Sequence, residues 1–253
     1  KVVYIDTINN QLYEDGDVPE HIQYVYGDID TKLEIIHKNI QLKYGSMKDE
    51  FPEQKMAVRF LTGNERVMEL GSNVGRNSMI IAHILKQKNN NRFVTVESDP
   101  EAAGMLKANM EANGFNFHII NAALSKRRLI QKGWDTFESD VDVDGYQRVK
   151  TITLKDINTQ YRIKFDTLVI DCEGAFYYIL KDMPEILNNV KLIMMENDYR
   201  DPEHKKYVDQ ILTEHKFKVE YSEPLTSHEG LFPHCRDQFY QVWKRPKPRV
   251  EFV

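Results

Sequence analysis

The chain predicts an α/β fold: a doubly wound, mostly parallel sheet behind an N-terminal helical extension. Three observations predict it. From Glu65 onward, strand-like apolar runs alternate with stretches of helical spacing. Phe165-Asp-Thr-Leu-Val-Ile-Asp171 is almost continuously apolar, as a strand buried on both faces must be. The run Val67-Met-Glu-Leu70 passes straight into a glycine turn, Glu69-Leu-Gly-Ser-Asn-Val-Gly75, and then into a helix start.

Residues 1 to about 30 are polar and aromatic without a clear period and read as a loose lead-in. Leu33, Ile36, Ile40 and Tyr44 have helical spacing, which predicts a helix over 31–44 ended by Gly45. A second helix is expected over 52–61, with Pro52 in its first turn. These make residues 1–62 a mostly helical extension and 63–253 the main domain. The expected order is then strand 66–70, helix 75–87, strand 92–97, helix 100–113 and strand 116–121. An irregular polar stretch, 124–148, precedes strand-like 149–154. Strand 165–171, helix 174–188 with Pro184 inside it, strand 190–196 and helix 202–215 follow. Strands 216–221 and 238–243 have no helix between them and are expected to close the sheet as an antiparallel pair across loop 222–237.

The 253 residues are 41% hydrophobic and 29% charged, enough to bury one large core. A net charge of −5 excludes a surface that is basic all over. The basic stretches Lys126-Arg-Arg128 and Lys244–Arg249 read as solvated loop and terminus. Two cysteines, Cys172 and Cys235, give no disulfide framework and suit a reducing compartment. No leader and no apolar span is visible, so a cytoplasmic protein without membrane insertion is expected. The first residue is Lys1, which raises the expectation of a domain cut from a longer protein.

In an open α/β sheet, ligands bind beyond the carboxyl ends of the strands, where strand order reverses. The glycines are spaced Gly71-x-x-x-Gly75, with Asn73 where a dinucleotide fold has its middle glycine. Glu69 would repel a pyrophosphate and attract the ammonium or sulfonium of S-adenosylmethionine. Glu97, one strand later, would accept from both ribose hydroxyls. The cofactor set expected from this frame is Gln54, Glu69, Gly71, Ser72, Asn73, Gly75, Asn77, Glu97, Ser98, Asn121, Ala122 and Asp171. In that set, Asn121-Ala122 is placed at the adenine edge, and Asn121 reads equally as the cap of a turn. Met47 and Glu53-Gln54 read either as a surface helix or as a cover for the methionine end.

Asp171-Cys-Glu-Gly-Ala175 ends a buried strand with two carboxylates and a glycine, a local charge that an apolar strand does not need. An alcohol is a poor nucleophile until it shares its proton, and a carboxylate within reach takes it. Asp171 is the first candidate base and Glu173 the second. Asp171, Glu196 and Asp198 also form a candidate oxygen-ligand set for Mg2+.

Several pieces together resemble the FkbM family of S-adenosylmethionine-dependent methyltransferases. They are Glu69-Leu-Gly-Ser-Asn-Val-Gly75, Val96-Glu97, Asn121-Ala-Ala-Leu-Ser125, Val149-Lys-Thr-Ile-Thr-Leu154 and Phe165-Asp-Thr-Leu-Val-Ile-Asp-Cys-Glu-Gly-Ala175. The resemblance covers roughly 64–200. It implies a seven-stranded class I methyltransferase sheet and O-methylation, commonly of sugars or polyketide hydroxyls. It also implies a glycan or small-molecule acceptor, here a deoxyhexose, in what is often one domain of a larger glycan-synthesis protein. The chain departs from the pattern at Val96, Phe176 and Glu196-Asn-Asp198, and no catalytic histidine is carried over.

Trp134, Phe137 and Tyr146, in the polar stretch, are candidates to stack on a sugar face. Asp140-Val-Asp-Val-Asp-Gly145 is similar to half of a calcium loop, but its twelfth position is Thr151, so a plain acidic turn is preferred. His228, His234 and Cys235 lack a fourth zinc ligand. Tyr177 and Lys181 are spaced for helix packing. A nucleic-acid methyltransferase lacks its base-reading motifs here, an NAD-dependent oxidoreductase lacks its glycine spacing, and a non-catalytic binding module would not need Glu69, Glu97, Asp171 and Glu173.

Overall fold

The computed structural model describes residues 28–227, 230 and 232–246, together with the backbone of 3–6 and 11–14. Most of the expected lead-in and His228 lie outside the described residues. Within the lead-in, β1 (Val3–Asp6) and β2 (Gln11–Glu14) pair antiparallel.

Helix α1 (Ile29–Lys38) starts on Asp28, whose side chain caps the Thr31 N–H, and stops at Asn39 rather than at Gly45. The stop is set from outside the helix. Asn113 takes the Gln41 N–H, and Asn109 takes the N–H groups of Lys43 and Tyr44, so those groups cannot bond back along a helix. Helix α2 (Phe51–Phe60) has Pro52 in its first turn, as expected. The alternation then runs β3 (Val67–Leu70), α3 (Arg76–Lys86), β4 (Phe93–Glu97), α4 (Pro100–Ala112) and β5 (His118–Asn121).

The stretch expected to be irregular is the largest correction. After β6 (Ala123–Leu124) it folds into a three-stranded antiparallel meander of β7 (Leu129–Lys132), β8 (Asp135–Glu138) and β9 (Gln147–Val149). Gly133 takes φ +57° in the two-residue turn between β7 and β8, a backbone that favours glycine. All four residues of β8 are exposed, so apolar periodicity does not betray it. The strand expected over 149–154 is also divided. After β10 (Thr151–Ile152), which pairs with β6, the chain turns into α5 (Leu154–Tyr161). Thr153 and Asp156 cap that helix reciprocally.

The second half follows the expected order with shorter ends: β11 (Thr167–Ile170), α6 (Phe176–Asp182), β12 (Leu192–Glu196), α7 (Pro202–Glu214), β13 (Lys218–Glu223) and β14 (Tyr240–Lys244). The helix expected over 174–188 breaks at Met183, and a 3-10 turn, Pro184–Leu187, replaces its end. Proline has no N–H for the helical ladder.

The seven-stranded sheet has the order β13-β14-β12-β11-β3-β4-β5. The strands from β5 to β12 are parallel, and β14 is antiparallel to both its neighbours. Among the described residues seven α-helices accompany it. Alternate strand residues feed two cores. Met68, Leu70, Leu168 and Ile170 pack with Leu154, Phe176, Val208 and Leu212 on one face. Val67, Phe93, Val169 and Met194 pack with Leu33, Ile36, Met56, Ala57 and Ile80 on the other. Helices α1 and α2 therefore cover one sheet face beside α3.

Chain order reverses between β3 and β11, and there the strand ends touch. A Cβ on Gly71 would stand 1.6 Å from the Asp171 carbonyl oxygen, and the φ of Gly71 is +77°. Gly75, at φ +89°, is needed for packing, because its Cβ would strike Leu106 at 2.1 Å. Gly71→Ala should therefore cost about 3 kcal/mol or more in a denaturant melt. Gly114, at φ +56° with open space around it, is the control, and its alanine variant should lose only about 1–2 kcal/mol. Equal losses at the two positions would refute the close-approach account.

Candidate active site

The carboxyl ends of β3, β4, β11 and β12 surround one hollow. Its deep part is a pit lined by Glu50, Glu53, Glu69, Gly71, Ser72, Asn77, Asp171 and Glu196. The pit opens into a cleft of about 1970 Å³. A single small ligand usually fills about 300–1000 Å³, so the cleft has room for two reactants.

Glu69 is 2% exposed, and its carboxylate accepts from the Ser78 hydroxyl. Burial raises its pKa to about 8, against the pull of that hydrogen bond. The backbone N–H groups of Ser72 and Asn73 both donate to Glu97 Oε2, at 3.1 and 2.7 Å, and the Asp99 N–H donates to Oε1 at 2.8 Å. Glu97 thus holds the glycine loop in shape and also lines the cleft beside Ser98. Asn73 itself stands at φ +48°.

Asp171, at the end of β11, has its pKa pushed well above the carboxylate range, by burial first and then by the nearby Asp198, Glu50, Glu53 and Glu173. Glu196 is raised in the same way, by burial and then by Asp171, and it shares a hydrogen bond with Glu53. Asp198 is raised to about 7 by burial; it accepts the Gly174 N–H at 2.8 Å, and its Oδ2 has no partner. One carboxylate oxygen each from Asp171, Glu196 and Asp198 lie within 4.8 Å of one another. Hard oxygen donors at this spacing fit a divalent cation such as Mg2+. Glu173 is exposed on the cleft wall and takes φ +52°.

The structure brings together Glu69, Gly71, Ser72, Asn73, Asn77, Glu97, Ser98, Ala122, Asp171 and Glu173 around the pit and cleft. Three expected residues are not among those lining the pit and cleft. Gln54 is fully buried, bonded to Met47 O, Asp49 O and His37, and does not reach the hollow. Gly75 faces Leu106. Asn121 donates to the carbonyls of Glu97 and Ser98 and tethers the strand ends, while its neighbour Ala122 lines the cleft.

Sequence reasoning missed Glu50 and Arg76. Glu50 stands at φ +58° just before α2, its pKa raised to about 7 by burial, and accepts from Arg76 Nη1 at 2.6 Å. The signal available was the pair of acids Asp49-Glu50 directly before a Phe-Pro helix start.

Trp134 and Phe137 line the cleft, whereas Tyr146 packs edge-on against Phe137 at 5.0 Å and is not among the lining residues. In the acidic turn, Asp140 and Asp142 pair with Arg128 and Arg148. Cys235 donates to the Asn197 carbonyl, and no group of zinc-like donors includes it among the described residues. Tyr177 stacks on His204 at 3.7 Å, with Lys181 over its ring, so this pair is helix packing.

No protein-family model and no curated protein matches the chain. Solved structures do. An O-methyltransferase from Bacillus cereus, in complex with SAH, aligns at 14% identity and TM-score 0.45, over 89% of this chain and 96% of that one. A ribosomal protein L11 methylase from Lactobacillus delbrueckii subsp. bulgaricus aligns at 11% identity and TM-score 0.47, over 81% and 82%. A candidate tRNA (m1A22) methyltransferase from Streptococcus pneumoniae, in complex with S-adenosyl-L-methionine, aligns at 12% and 0.46, over 78% and 73%. At such identities the chemistry must come from this chain's own residues. Among the described residues no helix is long and apolar enough to cross a membrane.

The pit makes stability depend on pH. The folded pKa values of Glu50, Glu69 and Asp198 lie above their ordinary values, so the fold binds these protons more tightly than the unfolded chain does. The three favour the fold fully below about pH 4 and cease to as pH rises to about 8. Glu69→Gln keeps an acceptor for Ser78 and removes its share, a few kcal/mol at roughly 1.4 kcal/mol per pKa unit. Between about pH 5 and 8.5, the variant's melting temperature should fall less than the wild type's by about 5 °C or more. Parallel profiles would show that Glu69 carries no such penalty.

Proposed function

We propose that this chain is an S-adenosylmethionine-dependent O-methyltransferase acting on a hydroxyl, with Asp171 as the base. The observation that carries the reading is the junction of an acid-walled pit, a glycine loop and a two-reactant cleft at the switch point of the sheet. Buried carboxylates gathered there favour a cationic ligand, and Glu53 Oε2, Ser72 Oγ and Asn77 Oδ1 are buried without partners. In chemistry these groups suit the positive end of a ligand seated in the cleft at the mouth of the pit, whose own volume is about 10 Å³.

S-adenosylmethionine, when bound, supplies an electrophilic methyl group on sulfur. Glu69 and the loop hold its end of the site, and Glu97 offers carboxylate oxygen towards the cleft. Asp171 stands where pit meets cleft and accepts the proton of an acceptor hydroxyl. Burial and the neighbouring acids raise its pKa, and positive charge bound beside it would act in the opposite direction. The protein's part is otherwise to align oxygen with methyl and to keep water out.

A sugar acceptor is supported by the exposed rings of Trp134 and Phe137 on the cleft wall and by the ordered resemblance to the FkbM family. Glu173 and Glu223 on the cleft walls speak against a polyanion such as RNA, while Glu138 and Asp182 there are paired with Arg127. On this reading the chain serves as a glycan-modifying unit within a larger glycan-synthesis protein. A second reading rests on the Asp171, Glu196 and Asp198 cluster. Those three would hold Mg2+, which would lower the pKa of a hydroxyl beside it.

Calorimetry with S-adenosylhomocysteine and with NAD tests the cofactor: binding of the first alone is expected, and binding of NAD alone ends the proposal. Asp171→Asn should keep S-adenosylhomocysteine affinity within about threefold and cut turnover about 100-fold or more. Unchanged turnover would remove Asp171 as base. Loss of activity in EDTA, restored by Mg2+, would select the second reading; activity indifferent to EDTA would retire it.

A further inference from the structure

Arg127 joins two walls of the cleft. Its Nε and Nη2 donate to the two carboxylate oxygens of Asp182, at the end of α6, at 2.6 and 2.9 Å. Its Nη1 donates to Glu138, at the end of β8, at 2.8 Å. A forked pair of this kind fixes direction as well as distance. The first residue of β8 is tied too, because Asp135 accepts from Arg200 Nη2 at 2.6 Å. Strand β8 is therefore held at both ends, although all four of its residues are exposed.

The same guanidinium lies 4.8 Å from the ring centre of Tyr178, on α6. Tyr177 and His204 meet that ring nearly edge-on, at 4.9 and 5.3 Å. Yet Tyr178 is 41% exposed and lines the cleft. A ring that served only to pack α6 would be covered. One that is open to the cleft and held by three neighbours has its orientation set before a ligand arrives.

We propose that Tyr178 is the platform on which the acceptor's ring rests, and that Arg127 is its positioning residue, holding α6 and β8 at a fixed separation. Trp134 and Phe137 face the slot from the meander side. The acceptor is a pyranoside. Its C–H face suits the electron-rich face of an aromatic ring, and its hydroxyls donate to carboxylates such as Glu173 on the cleft wall. Rings alone would take any apolar ligand and acids alone any cation; together they select a ring with an apolar face and several hydroxyls. The inference rests on the sugar-hydroxyl reading and deepens it.

The test uses the intact chain loaded with S-adenosylhomocysteine and reads Trp134 fluorescence, since the second tryptophan, Trp243, is 5% exposed. The probes are the methyl pyranosides of rhamnose, fucose and glucose. At least one should change the emission saturably, and Tyr178→Leu should weaken it about fivefold or more. Tyr178→Phe, which keeps the ring, should return the affinity to within about twofold of wild type. Arg127→Met, which removes the fork and keeps the stem, should also weaken the probe about fivefold, and adding it to Tyr178→Leu should cost little more, because the two act as one unit. S-adenosylhomocysteine affinity should stay within about twofold throughout. If Arg127→Met does not fold, as a melt will show, the two Tyr178 variants carry the comparison. Affinity untouched by Tyr178→Leu, affinity lost equally in Tyr178→Phe, or additive losses in the double variant overturn the proposal. Saturable binding of none of the three probes by wild type overturns it as well and leaves the cofactor reading standing. Failure to bind S-adenosylhomocysteine overturns the cofactor reading and the proposal with it.

Discussion

The backbone contact between Gly71 and Asp171 is the constraint on which the site depends. The Asp171 N–H donates to Leu70 O at 2.9 Å, and the Gly71 N–H donates to Val96 O at 3.0 Å, so the ends of three adjacent strands are locked at one level. With no Cβ on Gly71, β3 and β11 can finish side by side. Glu69 and Asp171 then face the same hollow, although 102 positions separate them in the chain. Had the two strands ended a few ångströms apart, the acids would look into separate depressions.

Two side chains make this geometry rigid. Glu97 gathers three backbone N–H groups, which fixes the loop before any ligand arrives. Asn109, fully buried in α4, accepts from Lys43 and Tyr44 and donates to the carbonyls of Tyr44 and Val74. It joins the segment before α2 to the glycine loop, so the wall carrying Glu50 and the floor carrying Gly71 share one anchor. Preorganisation of this kind spares a ligand the entropy of ordering its own site.

What the sequence reveals follows from which forces are local. The parallel strands were legible because a strand covered on both faces must be apolar, and 67–70 and 167–170 are buried throughout. The closing antiparallel pair was legible because no helix intervenes. The β7–β9 meander was not, since its outer strand faces water and carries no pattern. Helix α5 left a mark that periodicity hides, the reciprocal cap of Thr153 and Asp156. In the site, Glu69, Glu97 and Asp171 stood out because acids at strand ends are conspicuous. Gln54 misled, because a polar residue near a motif can be consumed by the chain's own carbonyls. Glu50 and Arg76 were invisible because their meeting is a matter of tertiary approach, 26 residues apart.

The crowding of acids in and beside the pit also bears on how long a chain survives. Glu50, Glu69, Asp171, Glu196 and Asp198 repel one another or must carry protons, and any bound cation relieves both. A cationic ligand that binds only the folded form raises the folded fraction by mass action. Opening events that expose the chain to proteases become rarer as that ligand accumulates. The protein's abundance would then track the supply of what it binds, with no separate sensor required.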